Sequence, residues 1–192
     1  GFFKSVFSDP EQAAAFFREH LPPAIVAQIE WSSLTLQPGS FVQSSLQQVH
    51  SDLLFRCRYG GESMQLYLLF EHQSRPDPAM PLRLLGYMQQ IFEHQYQSDG
   101  LPLQPVLPFV FHQGPESWKL STSFEALFDL SSEHAGLLLP YLPRFDHALL
   151  DLSDFDPSGG EPVGAAAGRT RIVLQLMKLA RQKKLLDFFK WL

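Results

Sequence analysis

The chain has 192 residues, of which 45% are hydrophobic and 18% charged, as in a globular protein long enough to bury a sizeable core. No window approaches the roughly 18 consecutive apolar residues of a membrane span, so we expect no membrane partner. The single Cys57 excludes an internal disulfide framework and a cysteine-based zinc site. The N-terminus lacks the apolar region of a signal peptide, and we therefore expect a reducing, cytoplasmic location.

Helix and strand patterns alternate along the chain, which predicts an α/β protein with a mixed sheet. Ser8-Asp9-Pro10-Glu11 predicts a helix N-terminus, because a capping side chain is followed by proline, and the helix is predicted to continue to His20. Residues 31–42 are mixed in pattern. Further helices are predicted at 24–29, 79–96, 123–128 and 165–192, and strands at 49–59, 64–73, 106–112 and 147–152.

A linker-like stretch at 158–162 predicts a main domain of residues 1–157, followed by a linker and a basic helix over 158–192. The net charge of −5 argues against a polybasic binder, but residues 165–192 hold seven basic residues and one acid. The helix has three interpretations: packing on the domain, contact with DNA phosphates through Lys183 and Lys184, or contact between the subunits of a homodimer.

The strands at 49–59 and 64–73 predict a hairpin, with Gly60-Gly61 as a two-residue loop. That loop places Asp52 opposite Leu69 and His50 opposite Glu71. Asp52 and Glu71 are then diagonal neighbours on one face, roughly 7–8 Å apart at the backbone. Gln73 lies on the same face, and the other face is apolar: Leu53, Phe55, Cys57 and Tyr59 on one strand, and Leu66, Leu68 and Phe70 on the other.

Two carboxylates at strand positions flanked by apolar residues need an explanation, because a buried carboxylate costs several kcal/mol unless it is paired or bound to a metal. One interpretation is that Asp52 and Glu71 jointly hold a cation. The other is that each acid pairs with an arginine, for which Arg56 and Arg83 are the candidates.

Three blocks carry a family resemblance: 51–55 (SDLLF), 67–77 (YLLFEHQSRPD) and 80–88 (MPLRLLGYM). Together with 105–114 (PVLPFVFHQG), they resemble the Rpn family of bacterial recombination-promoting nucleases, also described as YhgA-like putative transposases. The resemblance covers nearly the whole chain, and the E-H-Q-S-x-P-D block is specific.

The Rpn family resembles the PD-(D/E)XK nuclease superfamily. This implies a restriction-endonuclease-like core of order α-β-β-β-α-β, with a mixed central sheet, helices on both faces and an added C-terminal helix. The resemblance maps the first acid onto Asp52 and the E-x-K element onto Glu71 and Gln73. It implies a DNA endonuclease in which Asp52, Glu71 and the backbone carbonyl of His72 hold Mg²⁺, with Mn²⁺ as a substitute and no organic cofactor.

The sequence departs from the superfamily at Gln73, where many members carry lysine. Glutamine can orient a water molecule but cannot supply a positive charge. Arg83 has two open interpretations, contact with the scissile phosphate or an ion pair with Glu71 or Asp52. Arg75 is a further candidate for a DNA phosphate. The alternative function is a catalytically degenerate nuclease fold that binds DNA or a partner protein.

Other acids are weaker candidates. Glu11 and Glu19 on the first helix would supply an extra catalytic acid or lie on a solvated helix face, and Asp151 follows a predicted strand that could approach the site. The sequence has no H-E-x-x-H, G-x-S-x-G or P-loop motif, which disfavours zinc hydrolases, serine hydrolases and P-loop enzymes.

Overall fold

The computed structural model of the chain describes residues 2–38, 53–61, 64–156 and 164–181. Asp52, Lys183 and Lys184 lie outside the described residues. The helices are α1 (Phe2–Phe7), α2 (Pro10–His20), α3 (Pro23–Val26), α4 (Met80–Ser98), α5 (Ser132–Leu138) and α6 (Ala165–Arg181). The strands are β1 (Ile29–Leu36), β2 (Leu53–Tyr59), β3 (Met64–Gln73), β4 (Val106–His112) and β5 (Ala148–Asp151). Across the described ranges, none of the helices is both long enough and apolar enough to pass through a bilayer.

The five strands form one mixed sheet in the order β1-β2-β3-β4-β5. β1, β2 and β3 pair antiparallel, whereas β3, β4 and β5 run parallel. From α2 to β4, the element order contains the α-β-β-β-α-β series that the family resemblance implied, with the short α3 inserted after α2. The predicted α/β architecture with helices on both faces is confirmed.

Each face of the sheet carries its own apolar core. On one face, phenylalanines of α1, α2 and the strands pack together, including Phe7, Phe16, Phe70 and Phe109, each with no exposed surface. On the other face, the buried side of α4 packs on the strands through Met80, Leu84, Tyr87 and Ile91 against Leu69, Val110 and their neighbours. Glu71 and Gln73 lie on this second face.

Local sequence signals place α2 and β1. The carboxylate of Asp9 accepts a hydrogen bond from the backbone N–H of Glu11 at 2.9 Å, and Pro10 occupies the first helical position, as predicted. Most of β1, which spans Ile29–Leu36, lies in the region of mixed pattern at 31–42. The helix predicted over 24–29 is therefore shorter than expected and ends at Val26.

The predicted two-residue loop between β2 and β3 is wrong. The strands last pair at Tyr59 and Met64, so residues 60–63 form the connection, and Gly60 and Gly61 adopt positive φ angles of 65° and 111°. Leu69 consequently lies opposite Leu54 and not opposite Asp52. Because the register differs from the predicted one by two residues, every side chain keeps its predicted face.

The described part of α6 packs against α2. The side chains of Thr170 and Gln12 hydrogen-bond at 3.1 Å, and the guanidinium of Arg171 pairs with Glu19 at 2.7 Å. Lys178 donates to the backbone carbonyls of Ser153 and Phe155. Since these cations bind partners within the protein, the contacts of the described helix favour packing on the domain over contact with DNA phosphates.

Candidate active site

Glu71 is a carboxylate within an otherwise apolar stretch of β3. Its side chain has no exposed surface, and the preceding residues on the same face, Leu69 and Tyr67, belong to the core beneath α4. The strand continues past Glu71 to Gln73, which is 8% exposed. The predicted shared face of Glu71 and Gln73 is thus present, at the carboxyl end of the strand.

The structure brings Glu71, Gln73 and Arg83 into direct contact. Oε1 of Glu71 accepts a hydrogen bond from Nε2 of Gln73 and a second from Nη2 of Arg83, the latter at 2.9 Å. These donors offset part of the cost of burying the carboxylate. Of the two interpretations of Arg83, the structure shows the ion pair with Glu71.

Arg83 has two further partners near the start of α4. Its Nη1 donates to Oδ2 of Asp77 at 3.0 Å, and its Nη2 lies 3.4 Å from the hydroxyl oxygen of Tyr87. Burial alone would lower the pKa of Arg83, but the hydrogen bonds to Tyr87 and Asp77 and the charge of Glu71 raise it. The guanidinium therefore remains charged, and 27% of the side chain is exposed.

The backbone carbonyl of His72 faces the β2 side of β3. The backbone N–H of Tyr67 donates to the carbonyl oxygen of Pro105, and the carbonyl oxygen of Gln73 accepts from the backbone N–H of Gln113. Pro105 and Gln113 flank β4, so the odd-numbered residues of β3 direct their backbone groups toward β4. Backbone groups alternate sides along a strand, which turns those of His72 toward β2. Its imidazole lies on the opposite face of the sheet from Glu71 and stacks on Phe3 with ring centroids 4.5 Å apart.

Asp52 lies outside the described residues, whereas Arg75 lies within them. The described ladder between β2 and β3 ends with Leu53 opposite Phe70, so the position of Asp52 stays a prediction. Arg75 is exposed in the segment after β3 and forms no ion pair with the residues of the described ranges. It is accessible to a ligand but is not part of the Glu71 cluster.

A row of buried polar residues extends from Gln73 across the parallel strands. Gln73 pairs in register with His112 on β4, and His112 pairs with Asp151 on β5. Nε2 of His112 lies 2.6 Å from the carbonyl oxygen of Glu116, and a carbonyl can only accept, so this nitrogen carries the proton. Sequence reasoning missed His112. The signal that could have found it is its place at the carboxyl end of a buried parallel strand.

Asp151 lies at the end of this row, where its carboxylate holds the loop that follows β4. It accepts hydrogen bonds from the backbone N–H of Trp118 at 2.6 Å and of Ser153 at 2.8 Å. Burial by itself would raise the pKa of Asp151, but these hydrogen bonds outweigh it and lower the pKa below its usual value. The contacts make Asp151 a structural neighbour of the site.

We expect Asp151→Asn to lower the free energy of unfolding by about 1–3 kcal/mol at pH 7, because the two N–H groups bind different oxygens of the carboxylate and asparagine replaces one of these oxygens with a donor. A carboxyl group with a lowered folded-state pKa stabilises the protein above its unfolded pKa of about 3.9 and loses that contribution as the pH falls. The difference between variant and wild type should therefore shrink below pH 4 in denaturant titrations. A matched change at exposed Asp129 should have little effect, and equal losses in the two variants would contradict this role.

The acids of α2 lie on the other side of the sheet from Glu71. Glu11 lies 3.8 Å from a guanidinium nitrogen of Arg169, and Glu19 pairs with Arg171. A cavity of about 710 Å³ opens here between α2, β1 and the start of α6, with Arg18 and Trp31 in its wall. Neither acid joins the Glu71 cluster.

Comparison with known proteins gives a family match and several relatives. The family described as "Putative transposase, YhgA-like" matches residues 1–192. The chain is 34% identical over 122 residues to the recombination-promoting nuclease RpnD of Escherichia coli O157:H7, covering 62% of this chain and 47% of that protein. It is 31% identical over 112 residues to the recombination-promoting nuclease RpnC of Escherichia coli K12, covering 58% of this chain and 37% of that protein.

A third relative is named as inactive. The chain is 32% identical over 117 residues to the inactive recombination-promoting nuclease-like protein RpnE of Escherichia coli K12, covering 60% of this chain and 38% of that protein. The chain thus spans less than half the length of each of these three curated relatives. No solved structure matches the chain.

Proposed function

The chain belongs to the YhgA-like family, and from that premise we propose that it is a nuclease that hydrolyses DNA phosphodiester bonds with a divalent cation. The names of RpnD and RpnC, recombination-promoting nucleases, support this activity and a role in DNA recombination. The observation that carries the proposal is the fully buried carboxylate of Glu71, in contact with Gln73 and Arg83 at the end of β3.

The chemistry of the donor set fits a hard cation. Mg²⁺ and Mn²⁺ prefer carboxylate and carbonyl oxygens, and both Glu71 and the β2-facing carbonyl of His72 supply them. Asp52 directly precedes Leu53 in the chain, and Leu53 pairs with Phe70, the residue before Glu71. Since consecutive Cα atoms are about 3.8 Å apart, this connectivity supports Asp52 as the second carboxylate ligand. When bound, the cation would neutralise charge on the phosphate and lower the pKa of a water.

The remaining side chains supply binding and orientation. Gln73 would hold the attacking water through its side-chain amide, a role that a neutral residue can fill. Arg83 would bring a permanent positive charge to the phosphate, which compensates for the absence of a lysine at position 73. Arg75, exposed after β3, would contact a neighbouring DNA phosphate, and Lys183 and Lys184 remain proposed contacts farther along the strand.

A second candidate function is a nuclease fold that binds DNA or a partner protein without cleaving it. The observation that favours it is the ion pair between Arg83 and Glu71, which already neutralises the buried carboxylate. RpnE, one of the relatives, is named inactive. The two functions share the fold and differ in whether Glu71 takes a cation.

Incubation of the purified chain with supercoiled plasmid tests the proposal. We expect nicked and linear products with Mg²⁺ or Mn²⁺ and intact plasmid with EDTA. A retarded plasmid band without strand breaks in both Mg²⁺ and Mn²⁺ would favour the DNA-binding alternative. Cleavage that persists in EDTA would contradict a metal-dependent mechanism.

A further inference from the structure

Arg83 is shared between two carboxylates. Nη2 donates to the buried Glu71 at 2.9 Å, and Nη1 donates to Asp77 at 3.0 Å. The two acids differ in exposure, because the Glu71 side chain has no exposed surface and that of Asp77 is 29% exposed. The guanidinium thus links the proposed cation site to the surface at the start of α4.

The contacts on Glu71 set up a competition. Its Oε1 already accepts two hydrogen bonds, from Gln73 and from Arg83, and a carboxylate oxygen offers about two acceptor positions. A divalent cation that ligates Oε1 must therefore displace one of the two donors, and a cation that ligates the other oxygen of the same carboxylate would still lie close to both. Arg83 is the donor that a cation repels, since both carry positive charge.

The oxygens of Asp77 have separate tasks. Oδ1 accepts from the backbone N–H of Ala79 at 2.9 Å, which fixes the turn into α4. Oδ2 binds Arg83. The bond from the Ala79 N–H needs only a neutral oxygen. The bond from Arg83 uses the negative charge of Asp77, which gives a displaced guanidinium a charged partner beside the site.

We propose that Asp77 is a positioning residue that retains Arg83 when a divalent cation takes Glu71, so that the guanidinium moves from the carboxylate to a DNA phosphate without leaving the site. This inference rests on the proposed function. Nη1 of Arg83 binds Asp77 before any cation is present, so Asp77 favours the cation-bound state only through the contact that it gains when Nη2 leaves Glu71 and pairs with the same carboxylate. Asp77 should therefore strengthen cation binding through Arg83.

Calorimetric titration of Mn²⁺ into the protein, without DNA, tests this role in a double-mutant cycle. The proteins are wild type, Asp77→Asn, Arg83→Gln and the double variant, with Glu71→Gln as the control without the carboxylate ligand. Asparagine keeps an oxygen for the Ala79 N–H, so Asp77→Asn should melt close to wild type. We expect Asp77→Asn to weaken Mn²⁺ binding about tenfold, as for the loss of a hydrogen bond between charged groups.

In the Arg83→Gln background, the loss of Mn²⁺ affinity caused by Asp77→Asn should be at least about fivefold smaller. Only the direct attraction between the Asp77 charge and the cation is then removed. If Arg83→Gln does not fold, Arg83→Lys serves instead, since lysine keeps the charge but cannot bridge two carboxylates as a fork. An equal loss in both backgrounds, or no loss in either, would overturn the role of Asp77 while leaving the proposed function intact. Mn²⁺ binding no tighter in wild type than in Glu71→Gln would overturn both.

Discussion

Glu71→Gln should reduce the rate of metal-dependent DNA cleavage by about 10³-fold or more. The substitution keeps the shape of the side chain and its acceptor oxygen for Gln73 and Arg83 but removes the charge that would hold the cation. A lost metal ligand removes several kcal/mol of transition-state stabilisation, and about 4 kcal/mol corresponds to that factor. Single-turnover nicking of supercoiled plasmid at saturating protein measures the rate.

The control for Glu71→Gln is Glu93→Gln, the same chemical change on an exposed glutamate of α4 that bonds only to Gln89 among its described contacts. It should cleave at the wild-type rate. Thermal melting of both variants should stay near that of wild type, which separates loss of activity from loss of fold. Retention of more than about a tenth of the wild-type rate by Glu71→Gln would remove Glu71 from the mechanism.

Gly114→Ala should destabilise the protein by about 2–3 kcal/mol, the cost of forcing an extra methyl into a packed site. A Cβ at Gly114 would lie 2.2 Å from the backbone oxygen of Ser74 and 2.4 Å from Cε1 of His112. The Ser74 oxygen belongs to the main chain directly after β3, and a hydrogen bond from Gln113 to Gln73 at 2.9 Å holds the two segments together. The strand end that carries Gln73 must therefore move to admit the methyl group.

Gly86→Ala is the matched control, because a Cβ there meets no atom within 4 Å and the residue lies inside α4. Alanine in a helix interior should stabilise the protein by about 0.5–1 kcal/mol. The same glycine-to-alanine change should therefore raise the melting temperature at position 86 and lower it at position 114. For Gly114→Ala the expected fall is roughly 5–10 °C. A melting temperature for Gly114→Ala equal to that of wild type would show that the close approach is not structurally important.

The sequence was sufficient to assign the faces of the hairpin but not its register. Successive side chains along 53–59 and 64–73 point to opposite faces, and because each face is buried in its own core, packing enforces the assignment. Gly60-Gly61 indicates a turn because glycine tolerates positive φ, but the dipeptide does not fix the number of residues in the loop. In the structure Tyr59 pairs with Met64, so the pairing differs from the predicted one while the faces stay the same.

The contacts of the site depend on tertiary structure and could be predicted only in part. The spacing of Glu71 and Gln73 is a property of one strand and follows from the sequence. The approach of Arg83 and Asp77 depends on how α4 crosses the sheet, and both interpretations of Arg83 were therefore open. The row from Gln73 through His112 to Asp151 required knowledge that β3, β4 and β5 are parallel neighbours.

The most direct test of a nuclease built on Asp52 and Glu71 is the rate of Mg²⁺-dependent plasmid nicking by wild type and by Asp52→Asn, purified in parallel. Asp99→Asn, an exposed carboxylate at the far end of α4, controls for the loss of one charge. We expect wild type and Asp99→Asn to nick the plasmid at the same rate and Asp52→Asn to lose nearly all activity. Equal nicking by wild type and Asp52→Asn, or no nicking by wild type, would contradict the proposed site.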